Sequence, residues 1–412
     1  MHIAHFTNTY LPRISGVVRS VSAFRKALTE LGHNVFVFAQ EEPGYQDEEP
    51  FIFRYPTINL PFQVEFPAII PVSPFIDTLL PSLKLDVIHT HHPILLGQTA
   101  VSKARELDLP LVFTFHTQYR EYTHYFPIPQ ENVQEFLKDT VVNWLGEFMQ
   151  KCQHIVVPTH SMREILTQQY GLEERLTVIP TGIDLHPFEQ ADGEEVRRQR
   201  GWEDDKVLIS IGRMALEKNW RTLLEAGAKA MQNCPNLRVV LVGDGPELKE
   251  LKLYVRQLGI ANRVDFTGKV PFSQIPALLK AADLFGFASI TETQGLVTLE
   301  AMAAGLPVAA VKATGTSDVL EDGKQGILTE NNSAALAQAI ADIASDDMQI
   351  QNFKKAALEK ARSYDIMLQT EKLVNVYQQA IEDKKAGYSI KISRHGKLFD
   401  LSDLNQGFEP GF

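Results

Sequence analysis

At 412 residues the chain has room for two domains, each with a full core. Hydrophobic residues make up 44% and charged residues 22%, which excludes a disordered or fibrous class and fits an ordinary globular protein. A net charge of −11 argues against bulk attraction to nucleic acid, and only two cysteines, Cys152 and Cys234, exclude a disulfide framework or a cysteine-rich metal site and fit a reducing cytoplasm.

The opening residues, Met1 to Phe6, read as a first strand and not as a signal peptide, because they lack a charged leader and a long apolar stretch. Short apolar segments then alternate with amphipathic ones. Strands are predicted at 2–6, 34–39, 85–90, 110–115, 154–158 and 176–179, and helices at 17–31, 97–107, 131–152 and 160–170. Segment 51–80, apolar and proline-rich after an acidic loop, reads as an irregular connection over the core or, alternatively, as an apolar acceptor groove or membrane-touching surface. The stretch Ile179-Pro-Thr-Gly-Ile-Asp-Leu-His-Pro-Phe188 breaks regular structure and marks a domain join. Further strands are predicted at 207–211, 238–242, 264–266, 284–287, 307–310 and 326–328, and a last helix at about 364–384. Such alternation predicts two parallel sheets flanked by helices, with ligands outside the carboxyl ends of the strands. No run of about 18 apolar residues predicts a membrane span.

Three sets of residues carry chemistry. The first is Ile290-Thr-Glu-Thr-Gln-Gly-Leu-Val-Thr-Leu-Glu300, which places Glu292 in a loop at a helix N-terminus and Glu300 inside the helix. The free amides of such an end favour an anion, and a neighbouring carboxylate accepts hydrogen bonds from hydroxyls, a pairing that suits a sugar phosphate. Alone, this spacing is chiefly that of a surface helix with solvated glutamates. The second set follows the predicted strand 207–211, where Gly212, Arg213 and Lys218 bring two cations to the strand's carboxyl end and suit a diphosphate. A solvated turn before a helix is the bland alternative. The third set lies in the first half. Gly16 opens a helix where backbone amides can approach a phosphate oxygen, although the run is not a G-x-G-x-x-G fingerprint. His116 ends a strand. His89, His91 and His92 invite a metal reading that is set aside, because no cysteine or carboxylate lies close by in sequence to complete a site.

Together these passages resemble the retaining glycosyltransferases of family 4, over roughly residues 1–385. The resemblance implies the GT-B fold: two Rossmann-like doubly wound domains facing across a cleft. They are expected at 1–187 (acceptor) and 188–363 (nucleotide sugar), with a C-terminal crossover helix at 364–386 and a tail at 387–412. In the family the first glutamate lies near the donor sugar and the second holds the ribose, which implies Glu292 and Glu300 here. Arg213 and Lys218 correspond to the cations that hold the leaving diphosphate, and His116 to a histidine at the donor sugar. Gly16, Gly212, Gly268, Lys269, Val270, Gln294, Gly295 and Leu296 are the implied donor-binding positions. Many members carry two adjacent glycines where this chain has Ser15 and Gly16.

The run Thr114-Phe-His-Thr-Gln-Tyr-Arg-Glu-Tyr-Thr-His-Tyr125 is similar to a subgroup that glucosylates diacylglycerol. That similarity implies a UDP-glucose or UDP-galactose donor and a glycerolipid acceptor, with Tyr119, Tyr122, His124 and Tyr125 shaping the acceptor site or forming an aromatic packing cluster. It implies a cytoplasmic enzyme held peripherally at a membrane, with no nucleic-acid partner. No cofactor and no metal are expected, because the sequence lacks an Asp-x-Asp triplet. Against a charge-driven membrane contact, residues 1–187 carry 20 acidic and 13 basic side chains. Alternatives are a hexosyl- or mannosyltransferase acting on a soluble or polyprenyl-linked sugar, a nucleotide-sugar epimerase of the same fold, and a non-enzymatic nucleotide-binding module. The sequence leaves the oligomeric state open.

Overall fold

The structure is a computed structural model that describes residues 1–58, 68–118 and 131–392, with the backbone alone described at 68 and 131–138. The chain forms two compact units: 1–179 with 371–412, and 180–370. The division falls at Ile179–Pro180, ahead of the expected boundary at 187, so the Pro-Thr-Gly-Ile-Asp segment belongs to the second unit. It is stitched there by two backbone bonds, Ile183 N–H to Tyr364 O (2.8 Å) and Ile366 N–H to Ile183 O (3.1 Å).

In the first unit, strands β1 (His2–Thr7), β2 (Asn34–Gln40) and β3 (Ile52–Tyr55) precede a small antiparallel pair, β4 (Thr57–Ile58) and β5 (Ala68–Ile69). Then come β6 (Val87–Thr90), β7 (Leu111–Thr114), β8 (His154–Val157) and β9 (Leu176–Val178). The large sheet runs β3-β2-β1-β6-β7-β8-β9, its pairs all parallel. Its strands are apolar on both faces because helices cover both, which is why they read as continuous hydrophobic runs. The chain order reverses between β1 and β6, the kind of switch point beside which sheets of this type bind ligands.

Among the described residues of segment 51–80, two stretches are more regular than expected. Ile52–Tyr55 extends the sheet as an edge strand, with Phe53 stacked on Phe38 (5.2 Å between centroids) and Tyr55 fully buried. Pro74–Leu79 forms a short helix capped by Ser73. Its alternation is blurred by prolines and by apolar residues on both faces, so period alone did not reveal it.

The second unit holds β10 (Lys206–Ile211), β11 (Leu237–Val242), β12 (Val264–Gly268), β13 (Leu284–Phe287), β14 (Val308–Val311) and β15 (Gly326–Thr329). The parallel order is β12-β11-β10-β13-β14-β15, so its reversal lies between β10 and β13. The last long helix, Ile366–Lys385, begins in the second unit, and its residues from Glu371 belong to the first. Beyond it Ile390 and Ile392 are buried in the first unit's core, within a tail that carried no clear period.

Candidate active site

In the second unit the predicted residues gather at the carboxyl edge of the sheet, on either side of the reversal between β10 and β13. Strand β10 ends at Ile211 and Gly212 follows, after which Arg213 is exposed and Lys218 half-buried. Asn219, with φ of 54°, turns the chain into the helix Trp220–Ala230 and donates from Nδ2 to Ala288 O at 3.2 Å. Ser289, just past β13, donates from Oγ to Glu292 Oε1 at 2.7 Å. The same carboxylate forms an ion pair with Lys218 Nζ. A cation from the loop after β10 and a carboxylate from the loop after β13 therefore meet at the point where the topology opens the sheet.

The helix Leu296–Ala303 starts beside this pair. Gly295 holds φ of 75° at its N-cap, no side chain caps the end, and the amides of Leu296 and Val297 precede its first internal bond. Glu300 is 1% exposed, on the inner side of that helix. The hydroxyls of Thr298 and Thr316 are fully buried and, among the described residues, have no hydrogen-bond partner. Both lie within 4 Å of the position a side chain on Gly295 would take. Gly315, with φ of 78°, lets the loop after β14 lie against the Glu292 carbonyl, where any side chain would approach to 2.7 Å. An uncapped helix end with buried hydroxyls and a nearby cation suits an anionic ligand rich in acceptors.

The remaining predicted positions separate into roles. Gln294 is 4% exposed, and its side chain is spent on Thr181, accepting from the amide at 2.8 Å and donating to the carbonyl at 2.9 Å. It acts there as a clamp on the segment after Pro180, which leaves its backbone for a ligand. Gly268 ends β12 with φ of 70° and accepts at its carbonyl from Gly243 N–H (3.0 Å). Lys269 is exposed and Val270 half-buried just beyond.

In the first unit Gly16 begins the helix Gly16–Glu30, whose N-cap Ser15 accepts from Val18 N–H at 3.2 Å. His116 lies two residues past β7, half-buried, with burial lowering its pKa to about 3. Its ring contacts a histidine cluster that sequence reading only partly found. His5 on β1 pairs in register with His89 on β6, and His91 follows on the same side. Ring centroids lie 5.0 Å apart for His5 with His89 and with His91, and 4.3 Å apart for His89 with His91. Tyr377, fully buried, bonds to both His89 and His5. His92 turns away and accepts from Asn8 N–H at 3.1 Å. His5, His89 and His91 are close enough together to suggest a metal site. All six of their ring nitrogens, however, already face hydrogen-bond partners within the cluster and its neighbours. His5 was legible only as a strand residue, and Tyr377 lies 288 positions from His89, so no local signal marked either. Tyr119, Tyr122, His124 and Tyr125 lie outside the described residues.

Comparison with known proteins agrees with this geometry. Residues 14–186 match the family described as Glycosyltransferase Family 4, and residues 192–360 match Glycosyl transferases group 1. An alpha-monoglucosyldiacylglycerol synthase of Streptococcus pneumoniae is 33% identical over 84% of this chain and 80% of its own length. The protein of that name from Acholeplasma laidlawii is 30% identical over 82% and 87%. Among solved structures, Anabaena Alr3699/HepE in complex with UDP and glucose superposes with a TM-score of 0.72 at 23% identity, over 92% of this chain and 99% of its own. Sucrose-phosphate synthase from Thermosynechococcus elongatus reaches 0.73 at 20% identity, over 92% and 99%. These likenesses identify the fold as GT-B.

Proposed function

This chain belongs to glycosyltransferase family 4, and on that footing we propose that it moves a hexose from a UDP-sugar to a glycerolipid such as diacylglycerol or a monoglycosyl-diacylglycerol, with retention at the anomeric carbon. The observation that carries the donor reading is the meeting of Lys218, Glu292 and the uncapped helix Leu296–Ala303 at the reversal point of the second sheet. Helix amides, Lys218 and Arg213 hold the diphosphate. Glu300 receives the ribose hydroxyls, Glu292 stands near the sugar, and the backbone at Lys269 and Val270 reads the base.

In the reaction the bond from the anomeric carbon to the diphosphate oxygen breaks, and a bond to the acceptor oxygen forms on the same face. The departing phosphate takes the acceptor's proton. Fixed cations and amides aimed at the leaving oxygen supply the stabilisation that commonly dominates such catalysis. They also take the place of a divalent ion, so transfer is proposed to be metal-independent.

Two observations support the lipid acceptor. The chain's relatives at 30% and 33% identity are monoglucosyldiacylglycerol synthases. The first unit also exposes large apolar side chains at the carboxyl ends of its strands, Ile14 after β1 and Ile94 and Leu95 after β6, and further ones at Val72 and Phe75. Apolar surface of this kind can take up acyl chains, each buried methylene adding roughly 0.8 kcal/mol. No described helix is long and apolar enough to cross a membrane, and the proposed attachment is peripheral. The test is incubation with radiolabelled UDP-sugars and a lipid extract, followed by chromatography and by flotation with neutral and anionic liposomes. Label in a glycolipid, with flotation that survives high salt, is expected. Faster transfer to a water-soluble sugar by a protein that never floats would overturn the lipid acceptor and leave the transferase standing. An altered free nucleotide sugar formed without acceptor would point to an epimerase instead.

A further inference from the structure

The histidine cluster of the first unit is one continuous hydrogen-bonded chain with His116 at its end. His116 Nε2 meets His91 Nδ1 at 2.9 Å, and His91 Nε2 meets His5 Nδ1 at 3.1 Å. His5 Nε2 meets the Tyr377 hydroxyl at 3.2 Å, which in turn meets His89 Nδ1 at 2.7 Å. His89 Nε2 meets Thr114 Oγ1 at 2.7 Å. His5, His89, His91 and Tyr377 are all at most 1% exposed. Burial keeps the imidazoles neutral, lowering His5 to about 3 (with Arg25 adding to the effect) and His89 and His91 well below their ordinary value.

A neutral imidazole has one N–H and one lone pair, and a phenol has one proton to give. Each link in the chain can therefore hold one hydrogen, and only two arrangements fill every link while also giving the phenol proton a partner. In one, His116 donates from Nε2 to His91, His91 to His5, His5 to Tyr377, Tyr377 to His89, and His89 to Thr114. All four histidines then carry the proton on Nε2. In the other, Thr114 donates and every bond reverses, so all four carry it on Nδ1. Any mixed state sets two lone pairs or two N–H groups face to face, or leaves the buried Tyr377 proton without an acceptor, and each is strongly disfavoured.

We propose that Tyr377, His5 and His91 are positioning residues that lock the tautomer of His116, and so decide whether its other nitrogen, Nδ1, offers a lone pair or a proton to the donor sugar. The inference deepens the proposed function and rests on His116 facing that sugar. Tyr377 is the residue that completes the circuit, because its single hydroxyl serves both His5 and His89.

Nitrogen-15 NMR of the histidine-labelled full chain reads the tautomers directly. His5, His89, His91 and His116 are expected to share one form, all Nε2–H or all Nδ1–H. Two different forms among the four would overturn the proposal. Tyr377→Phe removes the shared hydroxyl. It should leave His116 a mixture of tautomers and lower kcat about 10- to 100-fold, with KM for the donor little changed. In a His116→Gln background the same substitution should have almost no further effect on kcat, since it acts through His116. An equal loss in both backgrounds would mean a packing role and sink the relay. Should Tyr377→Phe not fold, the wild-type spectrum decides. Full activity in His116→Gln would overturn the sugar-facing reading of His116, while the spectrum would still test the shared tautomer.

Discussion

Lys218 is held by Glu292 before any donor arrives, with Ser289 sharing the carboxylate. A cation already aimed and partly desolvated loses little freedom when a diphosphate binds, which is the physical meaning of preorganisation. Lys218→Ala and Arg213→Ala should each lower kcat by about 10²–10³, the scale for losing one such stabiliser, and both proteins should keep their fold. Steady-state kinetics beside a melting curve checks this, and unchanged turnover in either variant would remove it from the leaving-group site. The two glutamates should part company in calorimetry. Glu300→Gln weakens UDP and UDP-sugar alike, because the ribose is common to both and a charged acceptor bonds about twice as strongly as a neutral one. Glu292→Gln weakens the UDP-sugar more than UDP. Equal losses for both ligands in both variants would contradict the division of roles.

At the scale of elements, the proposed donor site depends on loops that approach without side chains between them. Gly243, with φ of 138°, sits where a side-chain carbon would stand 1.9 Å from the Gly212 carbonyl oxygen. Gly243→Ala must therefore separate the loops after β10 and β11 and strain the backbone as well. A loss of about 2 kcal/mol or more is expected, lowering Tm by on the order of 5 °C, together with weaker UDP binding. Calorimetric melting measures it, and a wild-type Tm would show that the loops have slack. The same elements show what a sequence can and cannot carry. Strands β10, β11, β13 and β14 were legible to within a residue or so at each end, because each is an apolar run, with Gly212 and Gly243 closing β10 and β11 and Pro307 opening β14. The Arg213–Lys218 loop and the Glu292–Glu300 stretch were legible because chemistry and punctuation coincide within a dozen residues. The edge strand Ile52–Tyr55 was not, since both of its faces carry apolar or aromatic residues and prolines follow. Gln294 was read as a ligand contact, and only the fold reveals that its amide clamps Thr181, 113 positions away. The Tyr377 circuit is likewise tertiary, with no local pattern to announce it.

At the scale of the whole molecule, buried neutral histidines make stability depend on pH. Unfolded, these rings take up protons near pH 6.5. Folded, burial holds His5 and His116 near 3 and His92 near 4, while burial with Arg175 nearby holds His154 near 4. Between those values the unfolded chain binds more protons, so stability falls as pH drops below about 6.5, by roughly 1.4 kcal/mol per pH unit for each such group. These four residues all lie in the first unit. Hydrogen exchange at pH 7 and pH 5 should show protection falling in 1–179 and 371–392 while 180–370 holds, and equal protection at both values would refute it. Transfer should also survive EDTA; complete loss in chelator, restored by magnesium or manganese, would show the phosphate site to be misread.

The first unit is also built from two stretches separated by 180–370, and its histidine circuit closes only through Tyr377. On the ribosome, residues 1–179 therefore wait for roughly 200 further residues, a delay of about 10–40 s at ordinary synthesis rates. During that interval a cluster of buried imidazoles lacks its phenol, while the middle of the chain, 180–370, emerges as one uninterrupted piece. The half proposed to bind the donor is the first that can be finished, although it is made second, and the half bearing His116 becomes complete only once Tyr377 has been made.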